Sequence, residues 1–154
     1  MKADIELRSA VPADIPAILD IEHHSFVHAG ERFGQPRLEY LVSTPRVLVS
    51  VAQTDSTIHA WCAAFAWTRT QTPWGRIYAL AVHPNSRGRR LGPRLMDHMI
   101  AELKSRGAAT LFLEVRPDNH PAIALYTKLG FTTCRELPNY YGHNLPAIRM
   151  SRPA

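Results

Sequence analysis

The stretch LFLEVRPDNHPAIALYTKLGF, Leu111–Phe131, decides the fold. Its opening alternates, with Leu111, Leu113 and Val115 on one face of a strand and Phe112, Glu114 and Arg116 on the other. Asn119 then stands where a helix N-cap belongs, and Pro121 is tolerated in the first turn. Ala122, Leu125 and Leu129 recur at helical spacing, so the stretch reads as a strand, a short loop and a helix from about His120 to Leu129 closed by Gly130.

The text just upstream repeats this plan. An apolar strand, IYALAV (Ile77–Val82), runs into HPNSRGRRLGPRLM (His83–Met96). A long helix is expected from about Gly88 to Arg106, with Gly107 just past its end and a core stripe at Leu91, Leu95, Met99 and Leu103. Further out, IELRSA reads as a first strand, and Asp14 can cap a helix from about Ile15 to His28. A shorter helix is expected over Arg37–Ser43. Arg46–Gln53 alternates as a strand, Asp55-Ser56 makes a hairpin turn, and HAWCAAFAWTRT continues as a long apolar strand, with Thr72–Gly75 as the next turn. FTTCREL and approximately HNLPAIRM are the last strands. Strands followed by a β-α-β-α-β run imply a mixed α/β sheet with helices on both faces, and 154 residues without linker or repeat form one domain, 1–154.

Composition narrows the function. The net charge of +5 is moderate, and part of it is concentrated at Arg87, Arg89, Arg90 and Arg94. A local cluster suits a small anionic ligand better than nucleic acid, which calls for a broader basic stripe. No run approaches a membrane span and MKADIELRSA lacks a signal-peptide core, so a cytoplasmic protein without membrane contact is expected. Cys62 and Cys134 match no metal or redox spacing and read as free thiols.

Two places carry chemistry. The loop Arg87–Gly92 leads into a helix start, where backbone N–H groups lack intrahelical partners; glycines at 88 and 92 allow close approach and the arginines add charge. A basic, solvated helix start is the plainer reading of the same residues. In the second place, Glu114 could accept a proton and Tyr126, about one turn after Ala122, could donate one from the cleft beside the strand. A solvated strand glutamate and a core tyrosine are the plainer readings there.

With both units in view, the chain resembles the GNAT superfamily of N-acetyltransferases, and among them the bacterial ribosomal-protein-alanine N-acetyltransferases. The resemblance rests on RGRRLG (Arg87–Gly92), LEVRPDN (Leu113–Asn119), AIALY (Ala122–Tyr126), KLGF (Lys128–Phe131) and the pair Tyr140-Tyr141, and spans nearly the whole chain. It implies a mostly antiparallel twisted sheet with one splayed parallel strand pair, acetyl-CoA as donor and no metal. Residue by residue it implies that Leu80, Ala81 and Val82 hold the pantetheine arm and acetyl carbonyl through the main chain. Arg87, Gly88, Arg89, Arg90, Leu91 and Gly92 wrap the pyrophosphate, and Asn119 contacts the pantetheine chain. Glu114 is the general base and Tyr126 protonates the departing thiolate, in a direct transfer without an acyl-enzyme. Phe26, Tyr140 and Tyr141 fall near the acceptor. Two departures stand out: Arg90 where the family often has Gly, which the negative φ expected at a helix start would tolerate, and Gly142-His143-Asn144 where relatives commonly carry an acidic residue.

The acceptor is expected to be a peptide or protein N-terminus, or else a small-molecule amine, a non-catalytic acetyl-CoA-binding module being the reading that an intact Glu114 and Tyr126 disfavour; the enzyme would be a monomer or homodimer. Only a neutral amine attacks, and near neutral pH roughly 10–20% of an α-amine is neutral against well under 0.1% of a lysine. His23, His24 and His28 suggest a metal site only superficially, since no third ligand or zinc spacing accompanies them. Trp61, Trp67 and Trp74 read as core or groove walls.

Overall fold

The computed structural model describes residues 3–26 and 29–154. Its strands are β1 (Glu6–Ser9), β2 (Val47–Thr54), β3 (Thr57–Trp67), β4 (Trp74–Val82), β5 (Thr110–Val115), β6 (Thr132–Gly142) and β7 (Leu145–Pro153). Its helices are α1 (Ile15–Ser25), α2 (Gln35–Ser43), α3 (Leu91–Ser105) and α4 (His120–Lys128). The strands form one sheet in the order β1-β2-β3-β4-β5-β7-β6. Every neighbouring pair is antiparallel except β4–β5. The expected mixed α/β architecture with one parallel pair is therefore the observed one.

Side-chain alternation in the strands builds two cores, one on each face. Cys62, Ala64, Ile77, Leu111, Leu113 and Val115 pack with the α3 stripe Leu91, Leu95, Met99 and Leu103 and with Tyr126 of α4. Trp61, Ala63, Val49 and Val51 face the other way and pack with Ile15, Ile18 and Ile21 of α1 and Leu38 and Leu41 of α2. Ala122, Leu125 and Leu129 lie partly buried against the first core, as their spacing implied.

The parallel pair is short. β4 and β5 are in register only from Trp74↔Thr110 to Ile77↔Leu113. One residue later β4 carries a bulge: Ala63 of β3 pairs with Ala79 and Ala64 with Ile77, so Tyr78 is the extra residue. A bulge bends its strand and raises the local twist. Beyond it β4 continues through Val82 while β5 ends at Val115, and the two strands part into a V.

Three local expectations need correction. Asp14 does not cap α1; it ends a 3₁₀ turn, Pro12–Asp14, and its carboxylate accepts from the Val11 N–H at 2.8 Å and from both terminal nitrogens of Arg8. The helix α1 stops at Ser25, where Phe26 turns extended (φ −125°), so the helix does not reach His28; that residue lies outside the described ones. The helix α3 starts at Leu91, not Gly88, because Gly88 (φ +80°) and Arg90 (φ +59°) both take left-handed backbone. Elsewhere the caps follow the sequence. The side chain of Asn119 accepts from the Ala122 N–H, and Gly107 (φ +99°) and Gly130 (φ +90°) stand just past α3 and α4 in the conformation that favours glycine.

Candidate active site

The mouth of the V collects most of the residues singled out from sequence. Leu80, Ala81 and Val82 lie on the part of β4 beyond its pairing with β5, so β3 engages one edge of that segment and the other borders the gap. Leu80 and Val82 lean on the α3 and α4 core, and Ala81 points to the α1 side.

After Val82 the chain is tied down before it forms the cradle. The His83 N–H donates to the His59 carbonyl at 2.8 Å, and His59 Nδ1 meets Ser86 Oγ at 2.8 Å, so β3 anchors the 3₁₀ turn Pro84–Ser86. Residues 87–90 are exposed and form an open loop. Arg90 is the N-cap residue of α3, and no side chain caps that helix start. The left-handed φ of Arg90 contradicts the negative value expected. A left-handed residue followed by a right-handed one turns successive N–H groups toward one point, an anion-binding nest. That geometry explains why a non-glycine residue is held there at a cost of about 1–2 kcal/mol. A methyl group on Gly92 would meet only Leu125 within the chain, at an ordinary 3.5 Å, so internal packing does not demand that glycine. Free helix-start N–H groups, a nest and exposed arginines fit a pyrophosphate.

Glu114 and Tyr126 reach the V from opposite faces of the sheet. Tyr126 rises from α4 on the α3 side, is buried, and packs edge-on against Phe131 with ring centroids 6.2 Å apart. Burial, with smaller contributions from Cys62 and Tyr141, pushes its phenol above the ordinary tyrosine range, so it holds its proton at neutral pH and can only be a donor. Cys62 is fully buried and its thiol is pushed up to about 12 by that burial, which makes it a poor nucleophile. Cys134 is exposed.

Glu114 projects from β5 on the other face. Its side chain is 4% exposed, and each oxygen is held by an arginine: Oε2 accepts from Arg76 Nε at 2.9 Å, and Oε1 from Arg149 Nε at 3.0 Å, with Arg149 Nη2 in ion-pair contact at 3.0 Å. Arg76 also donates to the Tyr140 hydroxyl and lies over the Tyr78 ring, 4.8 Å from its centroid. Neither arginine was singled out from sequence. Both needed the strand register, in which Arg149 is the direct cross-strand partner of Glu114.

The residues expected near the acceptor lie on two segments. The first is the connection from α1 to α2, where Phe26 caps α1 and its carbonyl accepts from Arg32 Nε at 2.7 Å. The second is the end of β6, where the Tyr140 and Tyr141 rings meet edge-to-face at 4.9 Å. Burial raises both phenols. Gly142-His143-Asn144 builds the turn into β7, with positive φ at Gly142 and Asn144 and the Asn144 N–H bonded to Asn139 Oδ1 at 2.7 Å. This departure from the family text is thus a turn.

Among the described residues Asp20, His24 and His83 bring nitrogen and oxygen atoms within 4.8 Å of one another. His83 Nδ1 accepts from the Asn85 N–H, so in the neutral ring Nε2 carries the proton and faces Asp20 Oδ2 at 3.4 Å. Asp20 Oδ1 lies 3.2 Å from His24 Nδ1, so the exposed carboxylate sits between the two rings. Trp61 is fully buried in the α1 core, whereas Trp67 and Trp74 pack with Phe65 at the β3–β4 hairpin.

The model of the acetyltransferase (GNAT) family matches residues 15–131. The chain belongs to this family. It is accordingly an acetyl-CoA-dependent N-acetyltransferase. The chain is 34% identical over 137 residues to the [ribosomal protein bS18]-alanine N-acetyltransferase of Escherichia coli strain K12, covering 88% of this chain and 86% of that one. It is 44% identical over 95 residues to the Salmonella typhimurium enzyme of the same name, an alignment covering 59% of this chain and 64% of that one. The crystal structure of the Escherichia coli ribosomal-protein-S18-alanine N-acetyltransferase superposes with a TM-score of 0.82 at 29% identity, covering 97% and 94% of the two chains. That of Ard1 from Thermoplasma volcanium superposes at 0.86 with 26% identity, covering 97% of each. No helix among the described residues is long and apolar enough to cross a membrane.

Proposed function

We propose that this GNAT enzyme acetylates the N-terminal α-amine of a protein, a ribosomal protein of the kind named for its relatives being the first candidate, in the cytoplasm. The observation that carries this reading is the Glu114 carboxylate, each of whose oxygens is held by an arginine. A carboxylate bonded on both oxygens to arginines is not placed to strip a proton from an ordinary lysine ammonium. An α-amine needs less, since a useful fraction is neutral at physiological pH. Arg76 and Arg149 raise that fraction further, because cationic neighbours disfavour the ammonium form.

In this reading the acetyl-CoA pyrophosphate sits on residues 87–92 and its pantetheine arm follows the free edge of Leu80–Val82. The amide of Asn119, whose Oδ1 caps α4, would donate to the same arm. The amine enters between Phe26 and the Tyr140-Tyr141 pair and attacks the thioester carbonyl. Oε2 of Glu114 accepts one hydrogen bond in the structure and keeps a second lone pair for a water that relays the amine proton. As the carbon–sulfur bond breaks, Tyr126 gives its proton to the thiolate. Cys62, buried and protonated, forms no acyl-enzyme.

The test is a panel of synthetic peptides with free or blocked α-amines, incubated with acetyl-CoA and read by mass spectrometry. Acetylation confined to free α-amines is expected. Reaction with polyamines or aminoglycosides and with none of the peptides would overturn the reading.

A further inference from the structure

The acceptor-side face of the sheet carries a row of charge that the transfer chemistry does not account for. Arg76 on β4 projects beside Glu114 on β5, Glu114 pairs directly with Arg149 on β7, and Arg149 pairs directly with Arg135 on β6. Direct cross-strand partners share a face, and the apolar residues flanking them, Leu113, Val115, Ile148 and Met150, point to the α3 core. The row therefore stands on the opposite face, as three arginines and one glutamate running across four strands. The α-helices of that face, α1 and α2, pack over β2, β3 and β4, whereas the 3₁₀ turn Ala29–Glu31 touches β6 at this end of the sheet. Glu114 is buried, but Arg76 and Arg149 are 28% and 31% exposed and Arg135 is exposed. Like charges placed directly opposite, as Arg135 and Arg149 are, destabilise a sheet. A surplus of two positive charges held at this place lacks a counter-charge within the row, and each guanidinium has N–H donors beyond those Glu114 and Tyr140 use.

We infer that this row docks the first residues of an acidic acceptor polypeptide, so that the enzyme selects N-termini followed closely by Asp or Glu. The reach is right. Glu114 and Arg135 are two strand spacings apart, roughly 10 Å, which an extended peptide spans in about three residues. The acidic side chains recognised are those at positions two to four. Arg149 and Arg76 keep Glu114 in place and offer their remaining donors to the nearer one, and Arg135 meets the farther.

This inference rests on the N-terminal reading above, and one experiment separates the two. Initial rates are measured for three peptides starting with Ala and carrying Glu, Ala or Lys at positions two to four, with the wild type, Arg135→Glu, Arg149→Gln and Arg149→Lys. The expected wild-type preference in kcat/KM is about tenfold for the acidic over the neutral peptide, shrinking as salt rises. Arg135→Glu, at an exposed site outside the Glu114 network, is expected to abolish most of that ratio while leaving the acetyl-CoA KM in place. Arg149→Lys is expected to keep more of it than Arg149→Gln. The ratio is internal to each variant, so a general loss of activity does not mimic the effect. Acetylation of all three peptides at similar rates, or an acidic preference that Arg135→Glu leaves intact, overturns the docking row and leaves the N-terminal reading standing. No acetylation of any peptide overturns both.

Discussion

Gly30 lies against Tyr141 so closely that a methyl group on its α-carbon would sit 1.8 Å from the Tyr141 carbonyl oxygen. The contact joins the α1–α2 connection to the end of β6, the two walls of the proposed acceptor entry. A backbone carbonyl cannot yield as a flexible side-chain end would. Gly30→Ala is therefore expected to push the walls apart and lower kcat/KM for a peptide acceptor by about ten- to a hundredfold. In the proposed arrangement acetyl-CoA lies on the other side of the V, so its affinity, measured by titration calorimetry, is expected to stay within about twofold of wild type. An equal loss for both substrates would show that Gly30 serves the fold and not the entry.

Tyr126 is buried and keeps its proton, which suits a group that acts once, as an acid. Replacing it by Phe preserves the packing against Phe131 and removes only the hydroxyl. The expected result is a fall in kcat of about a hundredfold or more, with the acetyl-CoA KM little changed. Single-turnover kinetics with acetyl-CoA in excess distinguishes this from slower product release. A variant with full turnover would remove Tyr126 from the chemistry.

Arg90 holds a left-handed backbone at the start of α3 where glycine would be unstrained. Arg90→Gly is expected to raise the stability of the free enzyme by up to about 1 kcal/mol and to raise the acetyl-CoA KM several-fold by removing a charge from the cradle. Thermal unfolding with and without acetyl-CoA reads both effects, which have opposite signs.

Most of the fold was legible because period-2 and period-3.6 patterns do not overlap in this chain. The α3 stripe from Leu91 to Leu103 and the alternation from Leu111 to Val115 each bury the face they imply. Asn119, Gly107 and Gly130 were readable as caps because their roles depend on local backbone chemistry alone. What failed was local geometry with several solutions. Asp14 stands at the N-cap position of α1, but its carboxylate is taken by Arg8, six residues earlier, and not by the helix amides. Arg90 took the conformation that an anion nest requires, not the one that a helix start allows. The surroundings of Glu114 were illegible for a different reason: Arg76 and Arg149 lie 38 and 35 residues away in sequence, and only strand register brings them together. The proposed acetyl-CoA cradle uses contiguous text, whereas the proposed acceptor face is assembled from β4, β5, β6 and β7.

Glu22 gives the enzyme an unusual pH dependence of stability. It sits on α1, is 1% exposed, and accepts from Trp61 Nε1 at 2.9 Å and from the Phe33 N–H at 3.2 Å. Those bonds favour the carboxylate, but burial outweighs them and raises its pKa from an ordinary 4.5 to about 7. Between those values the unfolded chain has released the proton and the folded protein keeps it, so the folded state binds more protons. Stability contributed by this group is full below 4.5 and is lost as pH rises through about 7, amounting to about 3 kcal/mol across the window. The paired Asp14 works in the opposite sense, since its pKa is lowered, chiefly by the Arg8 hydrogen bond, and its contribution disappears only as pH falls below the ordinary carboxylate range. The two together place maximal stability on the acid side of neutrality. Glu22→Gln, which cannot ionise, is expected to flatten the decline between about pH 5 and 7.5 and to be more stable than wild type at pH 8. Urea unfolding at a series of pH values measures the difference directly. Parallel wild-type and variant curves through that window would mean that Glu22 is already ionised in the folded protein at pH 5 and that its bonds to Trp61 and Phe33 outweigh its burial.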